Sequence, residues 1–350
     1  MKQKITIIGW TDWFWKWLAG FMLKNFKNNI ELTIIWRNEE KLKKVSLEIG
    51  SNYSLDNKKV VSESDITIFA VPIAYTEEII EKYAPFLKIN SMVLDVTSIK
   101  IWPSNALKKF SPKSVLVLPT HPMFWPHIST IRGQIFVLCP LKEEDKLDFR
   151  YKFLKKTLTE MWAKVVEENP IEHDRMMAIV QWVTHFNMFV IAWTIRKLNF
   201  DIDKSFNFIS PIYKIMMSSV WRYIWQNPKL YWDIQMYNTE VLKVHNVFID
   251  VASDFNKYIE QKDEESFIEN IKDSAKYFWK NTEKGQKYTD KIIFMIWRQL
   301  ELAEKSVWKE IRVENIYSRE IKIWILNKFN DKDLFLNSWE ILDLDEWEII

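Results

Sequence analysis

The chain has 350 residues, enough for two domains and a sizeable core. Its 49 lysines and arginines nearly cancel its 47 aspartates and glutamates, which leaves no global field to hold nucleic acid or an acidic membrane surface. A single cysteine, Cys139, excludes a disulfide framework and a cysteine-based zinc cluster, and fits a reducing compartment. In chain order, residues 4–9 come first, an apolar β-branched run closed by Gly9, which is how a buried parallel strand reads. Similar runs at 31–35, 65–71, 91–96, 114–119 and 133–139 alternate with helix-like stretches such as NEEKLKKVSLEIG and TEEIIEKYAPFL. Strand and helix alternating in this way predict an α/β fold, a doubly wound parallel sheet of Rossmann type over residues 1–145.

From about residue 145 the pattern changes to long helical segments, which predict an all-α domain over 146–305. Segment 177–195 is apolar almost all round and is expected to be a buried central helix. Residues 306–350 return to short alternating runs, a small β appendage. No run is expected to supply the roughly 20 apolar residues of a bilayer span, and the N-terminus does not read as a signal peptide, so a cytoplasmic setting is expected.

Composition holds one anomaly: 19 tryptophans and 5 glycines, together 24. Glycine alone normally makes up roughly 7% of residues, about 25 in a chain of this size. Most of the tryptophans are therefore expected to stand where glycines belong, as when UGA codons read as glycine are rendered as tryptophan. The first strand leads into Gly9-Trp10-Thr11-Asp12-Trp13-Phe14-Trp15, followed by a helical pattern. Indoles there would fill the space that a pyrophosphate occupies at a helix N-terminus, whereas glycine at 10, 13 and 15 gives GGTDGFG, a dinucleotide loop with Asp12 in place of the middle glycine. Trp17, one turn into the helix, is expected to be a genuine tryptophan. After the second strand comes Ile35-Trp36-Arg37-Asn38; Arg37, with no acid at the strand end, argues for the 2′-phosphate of NADP.

Two further segments lie where strands end: Asp95-Val96-Thr97-Ser98-Ile99-Lys100 and Pro119-Thr120-His121-Pro122-Met123-Phe124-Trp125-Pro126. With these, and with EHDRMMAIVQWVTH (172–185), SPIY (210–213) and WRYIWQNPKLYWDIQM (221–236), the chain resembles prephenate dehydrogenases and their arogenate-using relatives, in the archaeal-type branch, over roughly residues 1–300. The resemblance implies oxidative decarboxylation of prephenate or arogenate in tyrosine biosynthesis, with hydride transfer to NADP+ (NAD also being usable), by a homodimer formed through the helical domain. It implies that His121 is the base that takes the substrate hydroxyl proton, a role suited to an imidazole. Ser98 matches the serine that hydrogen-bonds this histidine and the hydroxyl. His185 and Arg222 match positions lining the substrate pocket, and Arg222 offers a fork of donors for a carboxylate. Gln181 lies one helical turn before His185 and so faces the same way. Val71 and Pro72, in Ala70-Val71-Pro72, match a stretch that flanks the cofactor. His173 and Asp174 are expected to cap the helix they open, no metal site is expected, and His127 and His245 have no assigned role. Two alternatives stay open: another Rossmann-type hydroxyacid dehydrogenase, and a nucleotide-binding homologue that does not turn over.

Overall fold

The structure, a computed structural model, describes residues 2–9, 14–124, 128–307, 309–315, 321–329, 333–336, 341–343 and 347–349. The chain divides into two compact units, Met1–Leu198 with Val220–His245, and Asn199–Ser219 with Asn246–Ile350.

In the first unit, β1 (Gln3–Ile8), β2 (Ile30–Ile35), β3 (Asn52–Ser54), β4 (Ile66–Phe69), β5 (Met92–Asp95) and β6 (Leu116–Val117) make one parallel sheet in the order β3-β2-β1-β4-β5-β6. The near-continuous apolar runs follow from burial on both faces, and side-chain alternation sorts them. Ile7, Ile34, Ile68 and Leu94 join one core with residues of α1 (Phe14–Phe26) and α2 (Glu39–Ile49). Ile8, Ile35, Phe69 and Val93 join the other with α3 (Asn57–Glu63), α4 (Thr76–Tyr83) and α5 (Ile101–Phe110). Strand order reverses between β1 and β4, the switch point where open α/β sheets bind ligands.

The run at 133–139 does not extend this sheet. The chain turns back through β7 (Thr120–Pro122) into β8 (Ile135–Leu138), an antiparallel pair, and after α6 (Phe149–Glu160) β9 (Lys164–Glu167) adds parallel to β8. Among the described residues no helical crossover separates β7 from β8, and the pair is antiparallel where the sequence suggested a parallel continuation.

α7 (Pro170–Met177), a π-helical stretch (Ala178–Val183) and α8 (Thr184–Lys197) run on without a break. Beyond them come α9 (Ile202–Ser205), α10 (Pro211–Ile224), α11 (Pro228–Tyr237), α12 (Val241–Gln261), α13 (Glu264–Tyr277) and α14 (Trp279–Ser306). Two expectations are corrected here. Segment 177–195 is not buried within one chain, since Ile179, Val180 and Trp193 are exposed. Pro170–Lys197, with a mean hydropathy of 1.3 over its most apolar stretch, is also long and apolar enough by composition to span a bilayer. The same run carries the buried polar side chains of His173, Asp174 and His185, two of which bond residues of the sheet unit, so it packs as a helix of the folded domain.

In the second unit β10 (Glu310–Asn315), β11 (Ile321–Phe329), β12 (Asp333–Leu336), β13 (Ile341–Asp343) and β14 (Trp347–Ile349) form an antiparallel sheet, β13-β12-β11-β10-β14. Its core of Ile311, Val313, Leu326, Leu334, Leu336, Leu342, Trp347 and Ile349 packs against Leu302 of α14. The β appendage read from the sequence is thus a folded element with its own core.

One backbone feature bears on the composition. Trp162 has φ +62° where α6 ends, with the Ala163 amide donating to Leu158 O. Gly50 ends α2 the same way, at φ +72°, with Ser51 N donating to Ser46 O. This left-handed closing position favours glycine, because a Cβ is crowded there; the Trp162 indole is largely exposed.

Candidate active site

His121 sits in the middle of β7, tied to the C-terminal edge of the parallel sheet by its neighbour: Thr120 Oγ1 donates to Asp95 O (2.6 Å). Its ring is buried. Nδ1 lies 2.9 Å from His173 Nε2, His173 Nδ1 lies 2.8 Å from Asp174 Oδ1, and on the other side Gln181 Nε2 lies 3.3 Å from His121 Nε2. These three residues come from α7 and the π-helical stretch, so the helical run closes over the strand end. A π turn, wider than an α turn, is a frequent mark of functional segments, and here it carries Gln181.

His173 and Asp174 do not cap their own helix. Asn169 does that, accepting from Ile171 N and Glu172 N, and Pro170 supplies the favoured first position. Asp174 instead caps α5, accepting from Lys100 N (2.7 Å) and Ile101 N (2.9 Å). Both residues were passed over as site residues in the sequence.

Lys100 is fully buried beneath His121. Its ammonium pairs with Asp95 and donates to Thr120 O (2.7 Å), while Thr97 donates to Asp95 Oδ2 from its amide (3.0 Å) and hydroxyl (2.6 Å). Burial first, then the adjoining His173 and the Lys100 charge, hold His121 well below the ordinary imidazole range, so it is neutral near pH 7. A neutral imidazole can accept a proton. Ser98, expected at His121, lies half-buried in the loop between β5 and α5; among the described residues the hydrogen bonds of His121 are with His173 and Gln181 instead.

One turn beyond Gln181, His185 is buried between aromatic rings, with Tyr223 at 5.0 Å and Tyr231 at 4.8 Å between centroids. Burial pushes its pKa down to about 4. Its Nδ1 and the Oε1 of Gln181 are buried with no hydrogen-bond partner among the described residues. Arg222 is exposed on α10, and its charge reaches the hydroxyls of Tyr223 and Tyr231. The two tyrosines were not singled out in the sequence; their spacing of eight residues from α10 to α11 gave no local signal.

At the switch point, a Cβ on Gly9 would stand 2.1 Å from Ala70 O, so the ends of β1 and β4 meet only because residue 9 is glycine. Val71 is buried there, and Pro72 opens a short turn, its carbonyl accepting from Tyr75 N and Thr76 Oγ1. Phe14 starts α1 and Trp15 is buried in the sheet core, whereas Trp10, Thr11, Asp12 and Trp13 lie outside the described residues, as do Trp125 and His127. Trp17 stacks on Phe21 (4.9 Å) and donates to Ile128 O (2.8 Å), as a resident tryptophan would. Arg37 is exposed just past β2, its guanidinium 5.4 Å from the Trp36 ring. The close strand ends, the helix start and this exposed cation fit a dinucleotide.

A six-stranded sheet in this order with a histidine at its carboxyl edge, closed by a helical run, defines a Rossmann-type dehydrogenase. Residues 20–167 match the family "Prephenate dehydrogenase, nucleotide-binding domain", and residues 169–273 match "Prephenate dehydrogenase, dimerization domain". The chain belongs to the prephenate dehydrogenase family. A relative described as "Probable arogenate/prephenate dehydrogenase" of Methanocaldococcus jannaschii is 38% identical over 336 residues, 95% of this chain and 74% of that protein. The T-protein of Haemophilus influenzae is 29% identical over 212 residues, 61% of this chain and 55% of its own length. Among solved structures, prephenate dehydrogenase from A. aeolicus in complex with hydroxyphenyl propionate and NAD+ shares the fold, with a TM-score of 0.63 at 20% identity over 80% of this chain and 98% of that one.

Proposed function

We propose that the chain oxidatively decarboxylates prephenate or arogenate, passing hydride to NADP+, in tyrosine biosynthesis. The observation that carries the reading is the neutral, buried His121, whose Nε2 faces Gln181 where polar atoms of Gln181 and His185 have no partner among the described residues. His121 Nε2 takes the proton of the ring C4 hydroxyl, as a general base does. Bound NADP+ supplies the hydride acceptor for C4. With C4 oxidised, the bond from C1 to its carboxylate breaks, carbon dioxide leaves, and the electron pair aromatises the ring as the C4 oxygen takes a proton and becomes a phenol. In this reading Arg222 offers a cation to a substrate carboxylate, His185 and Gln181 face the substrate, and Ser98 is assigned to the hydroxyl by the family resemblance alone.

Cofactor choice follows from Arg37, an exposed cation past β2 with no acid at the strand end. Gly9, Val71, Pro72 and Phe14 border the dinucleotide, and the phosphate loop is read with glycine at 10, 13 and 15. The exposed apolar side chains of the helical run, Ile179, Val180 and Trp193 among them, are what a second copy would cover, in keeping with a homodimer. The test is an absorbance assay for NADPH with prephenate and with arogenate, on protein carrying Trp10→Gly, Trp13→Gly, Trp15→Gly, Trp36→Gly and Trp125→Gly. Turnover of either substrate is expected; reduction of neither NADP+ nor NAD+ with both substrates overturns the reading.

A further inference from the structure

We propose that Asp174 and His173 are positioning residues that lock His121 in the tautomer protonated on Nδ1, so that its Nε2 presents a lone pair to the substrate. The purpose of the lock rests on the dehydrogenase reading above, but the lock itself follows from hydrogen-bond accounting.

Asp174 fixes one end. Its Oδ1 accepts from Lys100 N and its Oδ2 from Ile101 N, the first free amides of α5. Both oxygens are thus engaged as acceptors, and a carboxylate has no proton to donate. The 2.8 Å contact to His173 Nδ1 therefore carries the histidine's proton. His173 is buried and held below the ordinary imidazole range chiefly by that burial, so it is neutral and has only a lone pair at Nε2. The 2.9 Å contact to His121 must then be donated by His121 Nδ1. His121, itself neutral, is left with its lone pair on Nε2, and the 3.3 Å contact there is donated by the Gln181 amide.

The opposite tautomer fails at once. With the proton on His121 Nε2, two ring lone pairs would face each other at 2.9 Å, and Gln181 would have to turn its oxygen inward. The chain also serves the protonated state. When His121 accepts a proton, its Nδ1–H bond to His173 couples the new charge to the Asp174 carboxylate, offsetting the repulsion from Lys100 that otherwise disfavours it. Asn238 Nδ2 donates to the Asp174 carbonyl (2.7 Å) and holds the residue in place from α11's end.

The experiment is long-range 1H–15N NMR on histidine-labelled protein with the glycine loop, beside steady-state kinetics. In the parent, His121 should show a protonated Nδ1 and a bare Nε2. His173→Phe keeps a ring and removes the acceptor; His121 should move to the tautomer protonated on Nε2, and kcat should fall by roughly 10²–10⁴-fold with little change in KM, up to the scale of a base held in the wrong tautomer. His173→Gln, whose oxygen can again accept from Nδ1, should recover most of both. A proton on Nε2 in the parent overturns the proposal, as does a His173→Phe protein that loses kcat with the tautomer unchanged. The NMR result needs no substrate, so a chain that turns over neither prephenate nor arogenate would sink the dehydrogenase reading while leaving the tautomer assignment to stand or fall by itself. Should His173→Phe not fold, the tautomer in the parent and in His173→Gln still decides.

Discussion

Replacing Lys100 by methionine tests the electrostatic floor beneath His121. Methionine keeps the length and apolar stem of the side chain but deletes a fully buried ammonium. Three interactions go with it: the Asp95 ion pair, the bond to Thr120 O and a 3.4 Å contact with Thr97 Oγ1. Asp95 would keep its two donors from Thr97 on Oδ2, but its Oδ1 has no partner among the described residues, and Lys100 is the cation paired with the carboxylate. Stranding a buried charge in this way costs about 3–5 kcal/mol, against a total stability of about 5–15 kcal/mol for a typical domain. Lys100→Met should lower the free energy of urea unfolding by about that amount, and adding Asp95→Asn should recover most of it, because the stranded charge is then gone. In the double variant His121 also loses a neighbouring cation, so the acid limb of kcat against pH should move to higher pH. A loss below about 1 kcal/mol in Lys100→Met, or no recovery on adding Asp95→Asn, refutes the reasoning.

His121→Asn should lower kcat by roughly 10²–10⁴-fold with NADP affinity unchanged in a fluorescence titration. Arg37→Ala, in the glycine-loop protein, should cut the preference for NADP over NAD by about 10-fold or more, through KM for NADP; an unmoved ratio makes Arg37 a surface residue. Acid should destabilise the fold: burial holds His185 at about 4 against an ordinary 6.5, so as pH falls below 6.5 the unfolded chain binds a proton that the native state refuses. That stability is complete above pH 6.5 and is lost towards pH 4; from pH 7 to pH 5 His185 alone should cost about 2 kcal/mol in urea unfolding, and His185→Phe should flatten that share. Trp162→Gly should stabilise by about 1–2 kcal/mol in the same measurement, by relieving a left-handed backbone at φ +62°.

The parallel sheet was legible because strands buried on both faces leave unbroken apolar runs, and Ile5–Ile8, Ile66–Phe69 and Met92–Asp95 are of that kind. The run at 133–139 has the same look, yet it folds as β8 beside β7. Apolarity reports burial and says nothing of strand direction; among the described residues between Pro122 and Ile135 there is no helix to carry a parallel crossover. Segment 177–195 shows the converse limit: its hydrophobicity was read as burial within one chain, whereas its uncovered side chains fit a surface that closes between two.

His121 could be found from the sequence because its segment follows the apolar run 114–119, where α/β sheets place their chemistry, and carries the family resemblance; the structure sets it inside β7. Its supporting chain could not, since His173 and Asp174 act on a residue 52 positions away and meet it only when α7 packs over β7. A local signal did exist. Asn169-Pro170 already satisfies the amides of Ile171 and Glu172, so a histidine and an aspartate at 173 and 174 are surplus as caps of their own helix. A buried Asp174 must still find donors, and the open amides of Lys100 and Ile101 at the start of α5 are the ones it finds. One carboxylate therefore joins the helix after β5 to the helix after β9 and, through His173, orients the ring between them, so the docking of the helical run and the readiness of the base depend on the same hydrogen bonds.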